Sequence, residues 1–96
     1  MEKVLLVKKE NVKKVEEILK KDEKTSMLSI VIREGKNFGK EGFIVYLSGL
    51  EEYIERAIEL TKNFVEELKE EEAKNIIEKL KEEEKKAWEG FGNIIG

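Results

Sequence analysis

Residues 26–50, SMLSIVIREGKNFGKEGFIVYLSGL, determine how this 96-residue chain folds. Two apolar runs, Met27 to Ile32 and Phe43 to Leu47, flank a segment that contains three glycines. β-branched and aromatic side chains suit a pleated strand, and glycine allows the backbone to reverse. Two such runs joined by a glycine-containing connection predict a β-hairpin.

Both faces of this hairpin carry apolar side chains. Alternation along a strand places Ile30 and Ile32 on one face and Val31 on the other. In the second strand, Ile44 and Tyr46 lie opposite the face that holds Val45. An antiparallel sheet with one solvated face alternates apolar and polar residues, and this one does not. We therefore expect both faces of the sheet to be covered.

The segment before the hairpin predicts a strand and a helix. Val4 to Val7 is a continuous apolar run, which is typical of an interior strand covered on both sides. Asn11 is a suitable N-cap for a helix from Val12 to Lys21. The apolar residues of that helix have the spacing of a face that packs on a sheet.

The segment after the hairpin is helical in pattern. Ser48 and Glu51 fit a capping box, and neither glycine nor proline follows until Gly90. One helix of about 39 residues would be about 58 Å long, too long to pack wholly on a small sheet. A break near Glu70 to Glu72 would instead give a helical hairpin, and we favour this alternative.

These elements predict a single α+β domain over residues 1–96 with the order β-α-β-β-α-α. Residues 1–48 form the sheet half, 49–90 the helical region and 91–96 an apolar tail. The plan is a split βαβ with a three-stranded antiparallel sheet, an incomplete ferredoxin-like arrangement. A right-handed crossover places the third strand between the first and second. A fourth strand is missing, unless Asn93 to Ile95 supplies a stub.

The composition argues against several function classes. The chain has no cysteine and no histidine, so thiolate chemistry and the commonest general base and metal ligand are absent. No spacing pairs a nucleophile with an activating base. We therefore expect a non-enzymatic protein with no cofactor and no metal site. Charged residues make up 43% of the chain, mostly glutamate and lysine, as in hyperthermophile proteins.

The apolar segments are short. None approaches the roughly 18–20 residues of a membrane span. The apolar run after Met1 is too short for a signal peptide. We expect no membrane association and a cytoplasmic location.

The glycine-rich connection is a candidate binding loop. Glycines let a backbone approach a phosphate, and Lys36 and Lys40 supply positive charge. Asn37 and Phe38 lie at the predicted tip, and Phe43 follows at the start of the strand. Binding of nucleic acid or a nucleotide through this loop is therefore the alternative function.

Residues 42–46, GFIVY, bear on the same alternative. They resemble the second half of the RNP1 segment of RNA-recognition motifs, which lies on the third strand of a similar fold. The resemblance implies that Phe43 stacks on a base. Glu41 stands where that family has its other stacking aromatic residue, and Gly39 replaces the leading basic residue.

The apolar second face favours association as the main function. Leaving about six large apolar groups in water forfeits roughly 1.5–3 kcal/mol each, so the last helix, the tail, a second subunit or a ligand must cover them. We predict a homodimer, or an accessory subunit of a larger protein, in which the C-terminal helices and tail take part. The candidate interface residues are Phe64, Leu68, Ile76, Leu80, Trp88, Phe91, Ile94 and Ile95.

Overall fold

A computed structural model describes the backbone of residues 1–95 and the side chains of residues 1–83. It contains four strands and three α-helices. In chain order they are β1 (Glu2–Val7), α1 (Val12–Lys21), β2 (Ser29–Glu34), β3 (Phe43–Ser48), α2 (Glu51–Thr61), β4 (Val65–Glu67) and α3 (Glu70–Ile95).

The predicted hairpin is confirmed. Strands β2 and β3 pair antiparallel, with Ser29 opposite Ser48 and Glu34 opposite Phe43. The Gly35 N–H donates to the Gly42 carbonyl at 2.8 Å and closes the connecting loop. Within the loop, Gly39 has a φ of 71°, a left-handed conformation that favours glycine.

The four strands form one antiparallel sheet in the order β2-β3-β1-β4. Strand β3 lies between β1 and β2, as the crossover argument predicts. Strand β1 is interior, and both Val4 and Leu5 are fully buried although they point to opposite faces. The order β-α-β-β-α-β is the complete ferredoxin-like plan, followed by the additional helix α3.

The prediction of three strands is wrong, because residues 65–67 form strand β4 and not part of a helix. Phe64 and Leu68 have helical spacing, but Phe64 packs on one side of the sheet and Leu68 on the other. One continuous helix cannot place these two side chains on opposite sides of the sheet. The chain leaves the helical conformation after Thr61, and Val65 pairs with Val7. The break therefore precedes Glu70, and the acidic run begins α3, where negative charge suits a helix N-terminus.

Helices α1 and α2 cover the first face of the sheet. The buried residues between them and the strands form the first core cluster, which consists of Leu5, Val7, Val15, Leu19, Leu28, Val45, Leu47, Ile54 and Ala57. Helix α1 has the predicted bounds, and its residues Val15 and Leu19 lie in this cluster. Helix α2 starts differently from the prediction: its N-cap is Leu50 with no side-chain cap bond, and Ser48 belongs to β3.

Helix α3 covers the second face. The second core cluster consists of Val4, Ile44 and Ile76, with Leu6, Phe38, Tyr46, Leu68, Ala73, Ile77 and Leu80 packed around it. The cover that the sequence requires thus comes from the same chain. Gly90 lies inside α3 rather than at its end, and the helix includes Asn93 to Ile95, so that segment is not a strand.

Candidate functional site

The outer side of β2 is one of the two hydrogen-bonding edges of the sheet. Strand β2 stands at the end of the strand order, so no strand in the described part of the chain pairs with its outer side. Its central residues Ile30, Val31 and Ile32 are only partly buried and carry no charge. Strands with such edges are templates for pairing with another chain.

The opposite edge of the sheet is protected. Strand β4 has only three residues, and two of them, Glu66 and Glu67, are exposed carboxylates. Glu67 also pairs with Lys3 at 2.9 Å. Short length and charge are the usual devices that prevent edge pairing. The asymmetry between the two edges singles out β2.

The backbone groups that β2 presents outward can be identified. Gly35 and Gly42 follow the last registered pair, Glu34 and Phe43, and the bond between them makes theirs a hydrogen-bonded pair. Such pairs alternate along an antiparallel ladder, so Val31 bonds toward β3 whereas Ile30 and Ile32 point their N–H and C=O groups outward. The Arg33 guanidinium donates to the Ile32 carbonyl at 3.1 Å, as an outward-pointing carbonyl allows.

A groove of about 520 Å³ lies beside this edge, between β2 and α3. Its lining residues are Ser29, Val31, Arg33, Tyr46, Ser48, Leu80, Lys81 and Glu83. The Tyr46 hydroxyl at its floor donates to the Glu2 carboxylate, and Lys81 lies 3.4 Å from the same carboxylate. The Tyr46 bond, and then Lys81, lower the pKa of Glu2. The groove is therefore an amphipathic surface continuous with the strand edge.

The candidate binding loop is tied to the rest of the chain. Lys36 forms an ion pair with Glu34 at 3.0 Å, and Lys40 pairs with Glu72 of α3. The Lys40 ammonium lowers the pKa of Glu72. These contacts place a carboxylate of this chain beside each of the two lysines proposed to bind phosphate.

Both aromatic residues of the loop region are partly buried. Phe38 packs against the second core cluster, with Lys79 5.8 Å from its ring centroid. Phe43 shares its face with Val45 and Leu47, the side that α1 and α2 cover, and Asn37 is exposed. The structure therefore brings Lys36, Asn37, Phe38 and Lys40 together in one loop, but orients Phe43 toward the first face.

The described interface candidates lie within the fold. Phe64 packs on the first core cluster beneath Lys14, whose Nζ is 4.5 Å from the ring centroid. Leu68, Ile76 and Leu80 belong to the second core cluster or pack on it. The remaining candidates, Trp88, Phe91, Ile94 and Ile95, lie outside the described side chains.

The outer edge of β2 was not among the sites predicted from the sequence. The predicted strand order indicated this edge, because a third strand placed between the first and second leaves the second strand at one end of the sheet. Apolar Ile30, Val31 and Ile32 at an unpaired end were thus predictable from topology.

Two further classes of site find no support in the described residues. Their acidic side chains form no group of three or more that could hold a metal ion. Their helices also lack a stretch with the length and apolar character that crossing a membrane requires. No protein-family model, curated protein or solved structure matches the chain.

Proposed function

We propose that this chain is a small non-enzymatic protein that acts by association, as a homodimer joined through the outer edge of β2. The observation that carries the proposal is the contrast between the two ends of the sheet. Strand β4 is short and acidic, whereas β2 presents six residues with an uncharged apolar centre. Addition of a strand to an open edge is a common mode of protein recognition.

The proposal does not depend on an uncovered second face. Helix α3 buries Val4 and Ile44 from that side, so the apolar face of β1 and β3 needs no second subunit. The case for association instead lies in backbone groups and side chains at the rim of the sheet. Each backbone hydrogen bond made across such an edge contributes about 0.5–1.5 kcal/mol, and the apolar side chains beside it add to this.

The loop lysines give weaker support to nucleic-acid binding. Contact with an anionic ligand would compete with the Lys36–Glu34 and Lys40–Glu72 ion pairs. A stacking role for Phe43 would compete with the cover that α1 and α2 give its face. We therefore keep this function as an outcome of the test rather than as a second proposal.

The experiment measures molar mass by light scattering during gel filtration, over a range of protein concentrations. Val31→Lys places a charge in the middle of the edge and is expected to weaken dimerisation about tenfold or more. Met27→Lys is the matched control: it introduces the same charge at a residue that precedes β2 and is 72% exposed. Circular dichroism verifies that both variants are folded.

A dimer that Val31→Lys dissociates and Met27→Lys preserves supports the proposal. A native chain that remains monomeric up to millimolar concentration overturns it. Salt-sensitive binding of labelled single-stranded RNA by such a monomer, lost on combining Lys36→Ala with Lys40→Ala, would instead favour the loop as the functional site.

A further inference from the structure

We infer that the two copies pair their β2 strands antiparallel about a two-fold axis that passes beside Val31, so that the dimer has one continuous eight-stranded sheet. This inference rests on the proposed function and specifies its geometry. It assigns the central contact to Val31 facing Val31 of the second copy, flanked on each side by Ile30 facing Ile32.

Symmetry restricts the registers that are possible. A two-fold axis perpendicular to the sheet reverses the direction of a strand and keeps its two faces, so directly opposed residues must point to the same face. The outward N–H and C=O groups of Ile30 and Ile32 must also meet outward groups of the second copy. Both conditions exclude every register that opposes Val31 to Ile30 or Ile32.

Three registers satisfy these conditions and pair the central residues of the strand. Their two-fold axes pass beside Ile30, Val31 and Ile32. An axis at Ile30 places Val31 opposite Ser29, and an axis at Ile32 places Ile30 opposite the charged Glu34. Only an axis at Val31 gives Ile30, Val31 and Ile32 an apolar partner each. Apolar cross-strand pairs stabilise a sheet, so this register is the most favourable of the three.

The same register satisfies the outward backbone groups. Each Ile30 forms a hydrogen-bonded pair with Ile32 of the second copy, which gives four backbone bonds around the axis. The Ile32 carbonyl that now accepts from Arg33 at 3.1 Å would accept from a backbone N–H instead. Arg33, whose Nε also lies 4.0 Å from the Glu83 carboxylate, would lie opposite Ser29 of the second copy.

The pairing also completes the groove between β2 and α3. Ser29, Val31 and Arg33 are on the α3 side of the strand and line the groove. In the dimer, the second copy's Arg33 stands beside Ser29 and closes the side at the strand edge. Each groove thus acquires a wall from the other copy.

Single cysteines test the axis directly, because the native chain has none. Residues that oppose themselves at a non-hydrogen-bonded position have Cα atoms about 4.5 Å apart, within the disulfide range of about 4.4–6.8 Å. Val31→Cys is therefore expected to form a covalent dimer on mild oxidation with diamide. Ile30→Cys and Ile32→Cys report the two competing axes.

Ser29→Cys and Arg33→Cys provide matched controls. In the proposed register, each of these residues is about 14 Å along the strand from the same residue of the second copy, which is too far for a disulfide. Residue 29 of one copy, however, lies directly opposite residue 33 of the other. Each single variant is expected to stay monomeric on a denaturing non-reducing gel. The double variant is expected to form a covalent dimer.

Light scattering on the same reduced samples tests the proposed dimer separately from its register. A reversible dimer that cross-links through Ile30→Cys or Ile32→Cys, or through none of these cysteines, overturns the register and leaves the proposed function standing. A chain that is monomeric before oxidation overturns both. Cross-linking through Val31→Cys, with both single controls negative, supports the inference.

Discussion

Asp22 connects the end of α1 to α2. Its carboxylate accepts the backbone N–H groups of Lys24 and Thr25 at 3.1 Å and forms a two-pronged ion pair with Arg56 at 2.8–3.0 Å. The Arg56 guanidinium, and then the Thr25 N–H, hold the pKa of Asp22 well below its usual range. The contact thus fixes the turn that leads into the hairpin.

This lowered pKa predicts a specific acid sensitivity. Because the folded-state pKa lies below the unfolded value, the stabilisation is complete above about pH 4 and is lost as pH falls toward the folded pKa. Asp22→Asn removes the charge and retains an acceptor oxygen. We expect the variant to be less stable than the native chain at pH 7, with the difference shrinking between pH 4 and pH 2. Denaturant titrations measure this, and a difference that is constant with pH would contradict the assignment.

Two buried threonines differ in what their hydroxyls do. The Thr25 hydroxyl donates at 2.6 Å to the Leu19 carbonyl, which lies near the end of α1 beyond the last helical bonds. The Thr61 hydroxyl donates at 2.7 Å to the Ala57 carbonyl, within α2. Only the first bond satisfies a carbonyl that the helix itself leaves unpaired.

Replacement by valine separates these roles. Thr25→Val is expected to cost about 1–2 kcal/mol of unfolding free energy, because a buried acceptor loses its donor. Thr61→Val keeps the helical bond to the same carbonyl and should cost about 1 kcal/mol or less. Equal losses in a denaturant titration would show that the helix-end carbonyl has no special dependence on Thr25.

The hairpin loop depends on two glycines in different ways. Gly39 and Gly42 both have positive φ, 71° and 82°. A methyl group at Gly39 would meet nothing within 4 Å, whereas at Gly42 it would collide with the Val7 carbonyl of β1. Gly39→Ala should therefore lower the free energy of unfolding only by the backbone strain, about 1–2 kcal/mol.

Gly42→Ala should lower the free energy of unfolding by more and disturb the β1–β3 pairing, which amide exchange at Val7 and Leu5 can measure. Equal costs would mean that the loop moves away from β1.

Helix α3 is the only α-helix that packs on the second sheet face within the described residues. Ile76 is the most buried of its described side chains, with 5% of its surface exposed. Ile76→Ala is expected to cost about 2–4 kcal/mol and to increase binding of a hydrophobic dye, because the sheet surface at Val4 and Ile44 opens. Lys74→Ala, at an exposed position of the same helix, should change stability by less than about 0.5 kcal/mol. Dye binding unchanged by Ile76→Ala would show that α3 does not seal this face.

The features that could be predicted from the sequence are those that depend on the pattern of neighbouring residues. The hairpin, β1 and α1 follow from apolar runs and periodicity, and the apolar second face of Ile44 and Tyr46 correctly required a cover. Strand β4 could not be recognised, because three residues with a single apolar one, Val65, carry too little period-2 signal. Phe64 and Leu68 then fitted a helical stripe by spacing alone. The edge of β2 was a property of strand order, and no residue within the strand indicates it.

Association through β2 predicts that thermal stability depends on protein concentration. If folding is linked to dimerisation, each tenfold rise in concentration adds about 1.4 kcal/mol per dimer in favour of the folded pair, so Tm rises. Val31→Lys breaks the link and should give a Tm that does not vary with concentration. Met27→Lys should behave like the native chain. Differential scanning calorimetry over a hundredfold range of concentration distinguishes these outcomes. A native Tm that stays constant across a range in which light scattering shows dimers would contradict the link, because it would mean that the dimers separate before each fold unfolds.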